Sequence, residues 1–555
     1  GLSEEPTLET ITGRVMHTAA PFTGKFETSN EMLNQLQSNI TWGQRGNFLS
    51  IPTDTPARDE RLGWTGDINV FAPTSTFNMD VARFLGSKWL QDLRDGQSSN
   101  GAFPDMAPNV GTTEGNAGWG DAGVTVPYTI WQRYGDTRVI EENYEAMVNW
   151  IEYMKENSSE YIRPASRYGD WLDVDDPTPG ELIATAYFAH STKLLSEMAY
   201  AIGHTDDAEE FEQLFEEIKI AFNEAFVSDD GRLEGDSQTA YVLSLYMDLI
   251  PDSKRQAVAD HLVERIKERD WHLSTGFLGT RDLLPALSET GHLDVAYRLL
   301  LNDTFPSWGY QIKNGATTMW EQWDGIKPDG TFRDPLTNSF NHYAYGAVGD
   351  WMYRNIAGIR HDPDNPGYKH IIIHPRLGGD LTHAKGEYES VYGKIVSDWE
   401  QTDDKFKLNV TIPVNTTATV YVPADSEWAV TENGEFAHEA EGVTFVGMED
   451  GYAVYEVGSG SYAFSAGTLN AADIKKLVEH FEDEGAIANP AAAHSLKIHL
   501  TAVSRYEEKD EAEKVVKHMQ GFQQLLDHQR DNEWITEEVY DTLMVHTESL
   551  IARWQ

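Results

Sequence analysis

Residues 53–67, TDTPARDERLGWTGD, gather four carboxylates (Asp54, Asp59, Glu60, Asp67), two guanidiniums (Arg58, Arg61) and the indole of Trp64. Pro56, Gly63 and Gly66 interrupt the run, so its charges are not the solvated face of one helix. Arginines in such a loop can hold carboxylates in place through paired hydrogen bonds. Acids fixed in a crowded polar loop beside an aromatic ring are candidates for altered protonation and for binding hydroxyl groups.

A second cluster, GATTMWEQWDG at 315–325, sets Glu321 between Trp320 and Trp323. Related pairings occur in GNAGWGDAGV, with Trp119 and Asp121, and in RYGDWLDVDD, with Asp170 and Trp171; SFNHYAYGAVGDWMY adds His342. Each alone is equally at home in a packed core. Loops of one rim converge in space, and several acid–indole pairs on one rim suit glycoside hydrolysis. That chemistry needs one protonated carboxyl for the leaving oxygen and a second group to raise a nucleophile.

Competing chemistries lack their residues. The chain has no Cys, which removes thiolate catalysis and zinc–thiolate sites. GSGS at 458–461 lies in strand-like sequence with no helix after it, so it is no nucleophile elbow. GDWLDVDDPTPGE lacks the spacing of a calcium loop. No metal ligand is assigned and no cofactor is required by this reading, with a structural calcium ion left open.

These clusters need a scaffold that brings them together. Residues 27–360 read as about a dozen helices, among them DVARFLGSKWLQDLRD, NYEAMVNWIEYMKENS and ELIATAYFAHSTKLLSEMAYAIG, joined by Gly-, Pro-, Asp- and Asn-rich links. The pattern predicts an (α/α)6 barrel with its long loops at one rim. From 361 to 466, segments such as FKLNVTIPVNTTATVYVPA alternate β-branched or aromatic with polar residues, as in a β-sandwich. Helical patterns return over 467–555 and suggest a four-helix accessory domain after the linker GTLN. Residues 1–26 read as an entry segment, the remnant of a β-domain.

The 90 acids against 43 Lys plus Arg leave a formal charge of -47. Phosphate-rich partners need the opposite sign, so nucleic acid and anionic membrane surfaces are excluded. No run of about 18 apolar residues is present, so membrane insertion is not expected. The start, GLSEEPTLET, is no signal peptide and reads as a mature or truncated form.

TDTPARDERLGWTGD closely resembles the signature of bacterial α-L-rhamnosidases of glycoside hydrolase family 78. NITWGQRGNFLSIP, GWGDA, GDWL, TPGELIATAYFA, ATTMWEQWD and FNHYAYGAVGDWMY match the family in type and order, and the likeness covers about residues 12–466. The resemblance implies an (α/α)6 barrel and inverting release of terminal non-reducing α-L-rhamnose from a rhamnose-containing glycoside or polysaccharide. It also implies Glu60 as general acid and Glu321 as general base. Asp54, Arg58 and Asp67 match positions that hold rhamnose hydroxyls and orient the acid. Trp64, Trp119 and Trp171 match the pocket lining, His342 matches the substrate-binding histidine, and Trp320, beside the base, is a further lining candidate.

Thr55 stands where the family usually has Cys, and no loss of activity is expected from the change. Family members usually carry β-domains ahead of the barrel, which this chain begins too late to hold. The tail, with SLKIHLTAVSRYEE, KHMQGFQQLL and LIARWQ, resembles the FIMAH domain of secreted Gram-positive proteins. It implies a secreted or cell-surface bacterial protein, with that domain a candidate for surface attachment. Another (α/α)6-barrel glycosidase, a polysaccharide lyase and a noncatalytic rhamnose-binding protein are the alternatives.

Overall fold

The computed structural model describes residues 5, 7–10, 12–111 and 113–555. Two compact units divide the chain: residues 1–398 with 411–417, and residues 399–410 with 418–555. Within the first unit, six helical pieces form an inner ring: Thr65–Asn78, Ala122–Tyr134, Gly180–Ala201, Gln238–Tyr246, Phe277–Glu289 and the consecutive turns Ala344–Ala347 and Val348–Trp351. Each packs on the next, and the last packs back on the first, which closes the ring. Outer helices alternate with them along the chain: Glu31–Asn47, the continuous Ala82–Trp89 and Leu90–Asp95, Arg138–Glu156, Thr205–Phe226, Asp252–Glu268 and Leu293–Leu300. This is the (α/α)6 barrel that the helical patterning predicts.

Composition sorts the two rings. The inner Thr65–Asn78 buries every residue except Pro73, and Phe277–Glu289 is nearly as enclosed. Helices apolar or small on all sides must lie inside a large core. The outer Arg138–Glu156 instead carries one apolar stripe, with Val139, Ile140, Met147, Trp150, Ile151 and Met154 buried and charged residues opposite. In Thr205–Phe226, Phe211, Leu214, Phe215, Ile218 and Phe222 recur at helical spacing with acids between them.

The segment after the barrel is strand-rich, and its strands belong to a seven-stranded and a five-stranded sheet. In the first unit, Gly24–Thr28 pairs antiparallel with His383–Ser390, and Ile359–His361 with His370–Ile373. The boundaries expected at 26/27, 360/361 and 466/467 therefore fall inside strands, because Gly24–Thr28, Ile359–His361 and Gly460–Gly467 run across them. What the sequence suggests of residues 1–4, 6 and 11 in the entry segment lies outside the described residues.

In the second unit, Ala471–Asp483, Pro490–Glu507, Ala512–Asp531 and Glu537–Trp554 pack consecutively, and the fourth returns to the first. Their core holds Ile474, Leu477, Phe481, Leu496, Leu500, Met519, Phe522, Leu526 and Leu550. Asn470, Asn489 and Thr536 cap three of these helices by accepting from first-turn amides.

Candidate active site

The starts of five inner helices carry the candidate residues. The stretch 54–64 leads into Thr65–Asn78, and Trp119 precedes Ala122–Tyr134. Tyr168 and Trp171 precede Gly180–Ala201, and Phe277 opens Phe277–Glu289. Glu321 and His342 precede the sixth piece. Asp67 lies in the first turn of Thr65–Asn78, where the partial positive charge of a helix N-terminus favours a carboxylate. Between them lies a cavity of about 530 Å³, lined by Asp54, Arg58, Glu60, Trp64, Asp67, Trp119, Trp171, Glu321 and His342, and further by Met106, Thr113, Arg167, Tyr168, Phe277, Leu336 and Thr337.

Arg58 joins the two glutamates. Its Nε donates to Glu60 Oε2 at 2.8 Å, and its Nη2 lies 2.8 Å from the same oxygen. On its other side Nη1 and Nη2 donate to the Glu321 carboxylate at 2.9 and 3.3 Å. Nη2 touches both acids, so their nearest oxygens lie no farther apart than those two contacts laid end to end. Trp64 Nε1 donates to Glu60 Oε1 at 2.8 Å. The Glu60 side chain is 27% exposed and that of Glu321 8%, so one acid meets solvent and the other is enclosed.

A second, fully buried set lies alongside. His342 Nε2 is 2.9 Å from Asp67 Oδ1. Burial disfavours a charged imidazole, but Asp67 first, then Glu321 and Asp54, outweigh it and raise His342 to about 9. Burial pushes the Asp54 carboxyl up to about 7; His342 opposes the shift, while Asp67 and Glu60 add to it. Asp54 also closes its own loop, bonding the Leu62 amide through Oδ1 at 3.0 Å. The surrounding acids thus favour the protonated imidazole of His342, and burial favours the neutral form of the Asp54 carboxyl.

The aromatic wall is centred on Tyr168. Trp64, Trp119 and Trp171 each lie against its ring, at 5.8, 4.4 and 6.0 Å between centroids. The Tyr168 hydroxyl is 2.8 Å from Thr113 Oγ1. Gly66 lets the backbone pass under Trp119, since a Cβ there would sit 2.4 Å from the indole. Thr55, where the family signature has Cys, exchanges a 2.7 Å hydrogen bond with the Ser339 hydroxyl, so its added polar atom is satisfied.

The acid–indole pairs of the sequence separate in space. Asp170 turns from the cavity and caps Phe277–Glu289, accepting from the amides of Gly276, Leu278 and Gly279. Asp121 accepts from Trp150 Nε1, Ser191 and the Gly118 amide. Only the tryptophans of those pairs face the cavity. Trp320 is absent from the lining; its buried ring packs edge-on against Phe340 at 4.9 Å. An indole next in sequence to Glu321 must point elsewhere when Glu321 points inward. Trp323 likewise stacks on Tyr345 and donates to the Thr275 carbonyl. Asp59 and Arg61 face solvent.

Sequence reasoning missed Tyr168, Phe277, Arg167, Thr113, Met106, Leu336 and Thr337 as lining. Tyr168 was within reach, three residues before Trp171 in the same loop. Arg167 shares that loop, and the others sit in segments without an acid–indole pair.

Residues 21–356 match the bacterial alpha-L-rhamnosidase six-hairpin glycosidase domain, residues 358–437 the bacterial alpha-L-rhamnosidase C-terminal domain, and residues 471–552 the FIMAH domain. A Streptomyces avermitilis protein named alpha-L-rhamnosidase is 56% identical over 466 residues, covering 84% of this chain and 44% of its own length. A Formosa agariphila protein of the same name is 39% identical over 474 residues, covering 84% and 51%. The crystal structure of the Streptomyces avermitilis alpha-L-rhamnosidase complexed with L-rhamnose superposes with a TM-score of 0.80 at 56% identity, over 83% of this chain and 44% of that one. The chain thus spans about half the length of these relatives.

Proposed function

The chain belongs to the bacterial α-L-rhamnosidase family, and on that premise we propose that it hydrolyses α-L-rhamnosides, releasing terminal non-reducing rhamnose with inversion at the anomeric carbon. One observation carries the reading: a single guanidinium holds Glu60 and Glu321 on either side of it, at a cavity walled by three indoles. Glu60, the more exposed acid, protonates the glycosidic oxygen. Glu321, enclosed beside Arg58, takes a proton from water as that water attacks the opposite face of the sugar. Inverting enzymes leave roughly 6.5–9.5 Å between the carboxyl groups for that water; Arg58 Nη2, 2.8 Å from Glu60 and 3.3 Å from Glu321, holds their nearest oxygens closer than that here, so the pair opens to admit the water. Arg58 is the spacer that keeps the two acids from collapsing together.

Glu60 accepts from both Trp64 and Arg58, so one of these contacts yields when the acid takes up its proton. The charged His342–Asp67 pair and Asp54 form the floor and bind the sugar hydroxyls. The aromatic wall of Trp64, Trp119, Trp171 and Tyr168 receives the C–H faces and the C6 methyl of rhamnose. A dry aromatic surface prefers a methyl over a hydroxymethyl group. The reaction written this way uses no cofactor. The acid surplus and the FIMAH match support a secreted or cell-surface setting, with the C-terminal helices available for attachment. No described helix is long and apolar enough to cross a membrane.

Incubation with p-nitrophenyl α-L-rhamnoside, with the product followed by NMR, tests the proposal. The first-formed sugar should be β-L-rhamnose. An initial α-anomer would refute inversion, and rhamnose binding with no release of nitrophenol would favour a binding protein.

A further inference from the structure

The second unit holds a cluster that the proposed reaction does not use. His438 and Glu439 lie in the short turn Ala437–Glu439, and His480 lies in the last turn of the helix Ala471–Asp483. One nitrogen or carboxylate oxygen from each lies within 4.8 Å of the other two. Glu439 Oε1 is 2.7 Å from His480 Nδ1, while the opposite nitrogen, Nε2, faces Glu484 at 3.3 Å.

His480 thus has a carboxylate facing each of its ring nitrogens. Both ring nitrogens of His438 are buried without a hydrogen-bond partner among the described residues. A buried polar group left unpaired is costly, so its position calls for a partner. The imidazole is also fixed in place: Trp428 packs edge-on against it at 4.3 Å and lies 4.9 Å from the His480 ring. Two imidazoles thus meet one carboxylate against an aromatic wall, and one imidazole has no hydrogen-bond partner among the described residues.

We propose that His438, Glu439 and His480 form a binding site for a divalent transition metal of the zinc class, which cross-links the turn Ala437–Glu439 to the first helix of the C-terminal bundle. Mixed imidazole and carboxylate donors suit zinc, cobalt or nickel, whereas calcium and magnesium take oxygen sets. Metal–nitrogen bonds of roughly 2.0–2.1 Å place tetrahedral ligands about 3.4 Å apart, so donors as far as 4.8 Å from one another close by up to about 1.4 Å, and the 2.7 Å Glu439–His480 contact opens slightly. Glu484 supplies the carboxylate that orients a metal-bound histidine through its far nitrogen.

The test uses the whole chain stripped with EDTA, then titrated with zinc chloride by calorimetry and with cobalt chloride by visible absorption. One zinc per chain should bind, cobalt should give the intense visible bands of a tetrahedral site, and zinc should raise Tm reversibly with EDTA. The His438→Gln/Glu439→Gln pair, nearly isosteric and at a surface turn, should abolish all three responses. Glu484→Gln should weaken zinc by about 10–100-fold while the cobalt spectrum is kept. Absence of stoichiometric zinc binding in the wild type, or binding and a Tm shift that persist in the double variant, would overturn the proposal.

Discussion

Replacing Arg58 by glutamine tests the centre of the site. The side chain gives Glu321 two charge-assisted hydrogen bonds, at 2.9 and 3.3 Å, and gives Glu60 two close contacts at 2.8 Å. Hydrogen bonds to charged groups contribute about 1.5–3 kcal/mol each, so loss of the Glu321 pair, taken at the low end, weakens its positioning by about 3 kcal/mol. At 1.4 kcal/mol per tenfold, kcat for an aryl α-L-rhamnoside should fall by about 10²-fold, in line with what removal of one preorganised active-site donor usually costs. Arg58→Lys keeps the charge but loses the fork, and one ammonium cannot serve both acids; an intermediate loss of about tenfold is expected. Initial rates across pH, with near-ultraviolet circular dichroism to verify folding, measure the effect. A folded Arg58→Gln protein within threefold of wild-type kcat would refute the idea that this guanidinium positions the pair.

Glu60→Gln and Glu321→Gln should each lower kcat by about 10²–10⁴-fold with rhamnose binding retained. Only Glu60→Gln should recover with a more acidic phenol as leaving group, and recovery in Glu321→Gln instead would exchange the two roles. His342 is raised above its ordinary 6.5 to about 9 by Asp67, so the pair's contribution to stability is complete below 6.5 and is lost as pH rises through about 9. Tm of the wild type should fall over that window, and Asp67→Asn should flatten the fall; parallel curves would contradict the pairing. Gly66→Ala puts a Cβ 2.4 Å from the Trp119 ring, and overpacking of this kind costs about 1–3 kcal/mol. Its KM should rise as the indole shifts, while Glu60 and Glu321 keep kcat near wild type; an unchanged KM would show that Trp119 does not shape the sugar pocket.

Chain-local chemistry was readable without coordinates. About a dozen helical patterns joined by Gly-, Pro-, Asp- and Asn-rich links announce an (α/α)6 barrel, because an apolar period of helical spacing is a property of each segment by itself. The acid-rich signature and the Glu321 segment announce two carboxylates in loops.

Direction in space was not readable. Trp119 and Asp121 are two positions apart, yet one faces the cavity and the other ties Trp150 and Ser191 together. Asp170 resembles a catalytic acid in sequence and is a helix cap in the structure. Tyr168 acquires its role only because three tryptophans from separate loops arrive at its ring. Sequence spacing specifies which residues share a loop. Closure of the helical ring decides which side chains of that loop meet, because such contacts span long stretches of chain, 263 positions between Arg58 and Glu321 and 284 between Thr55 and Ser339.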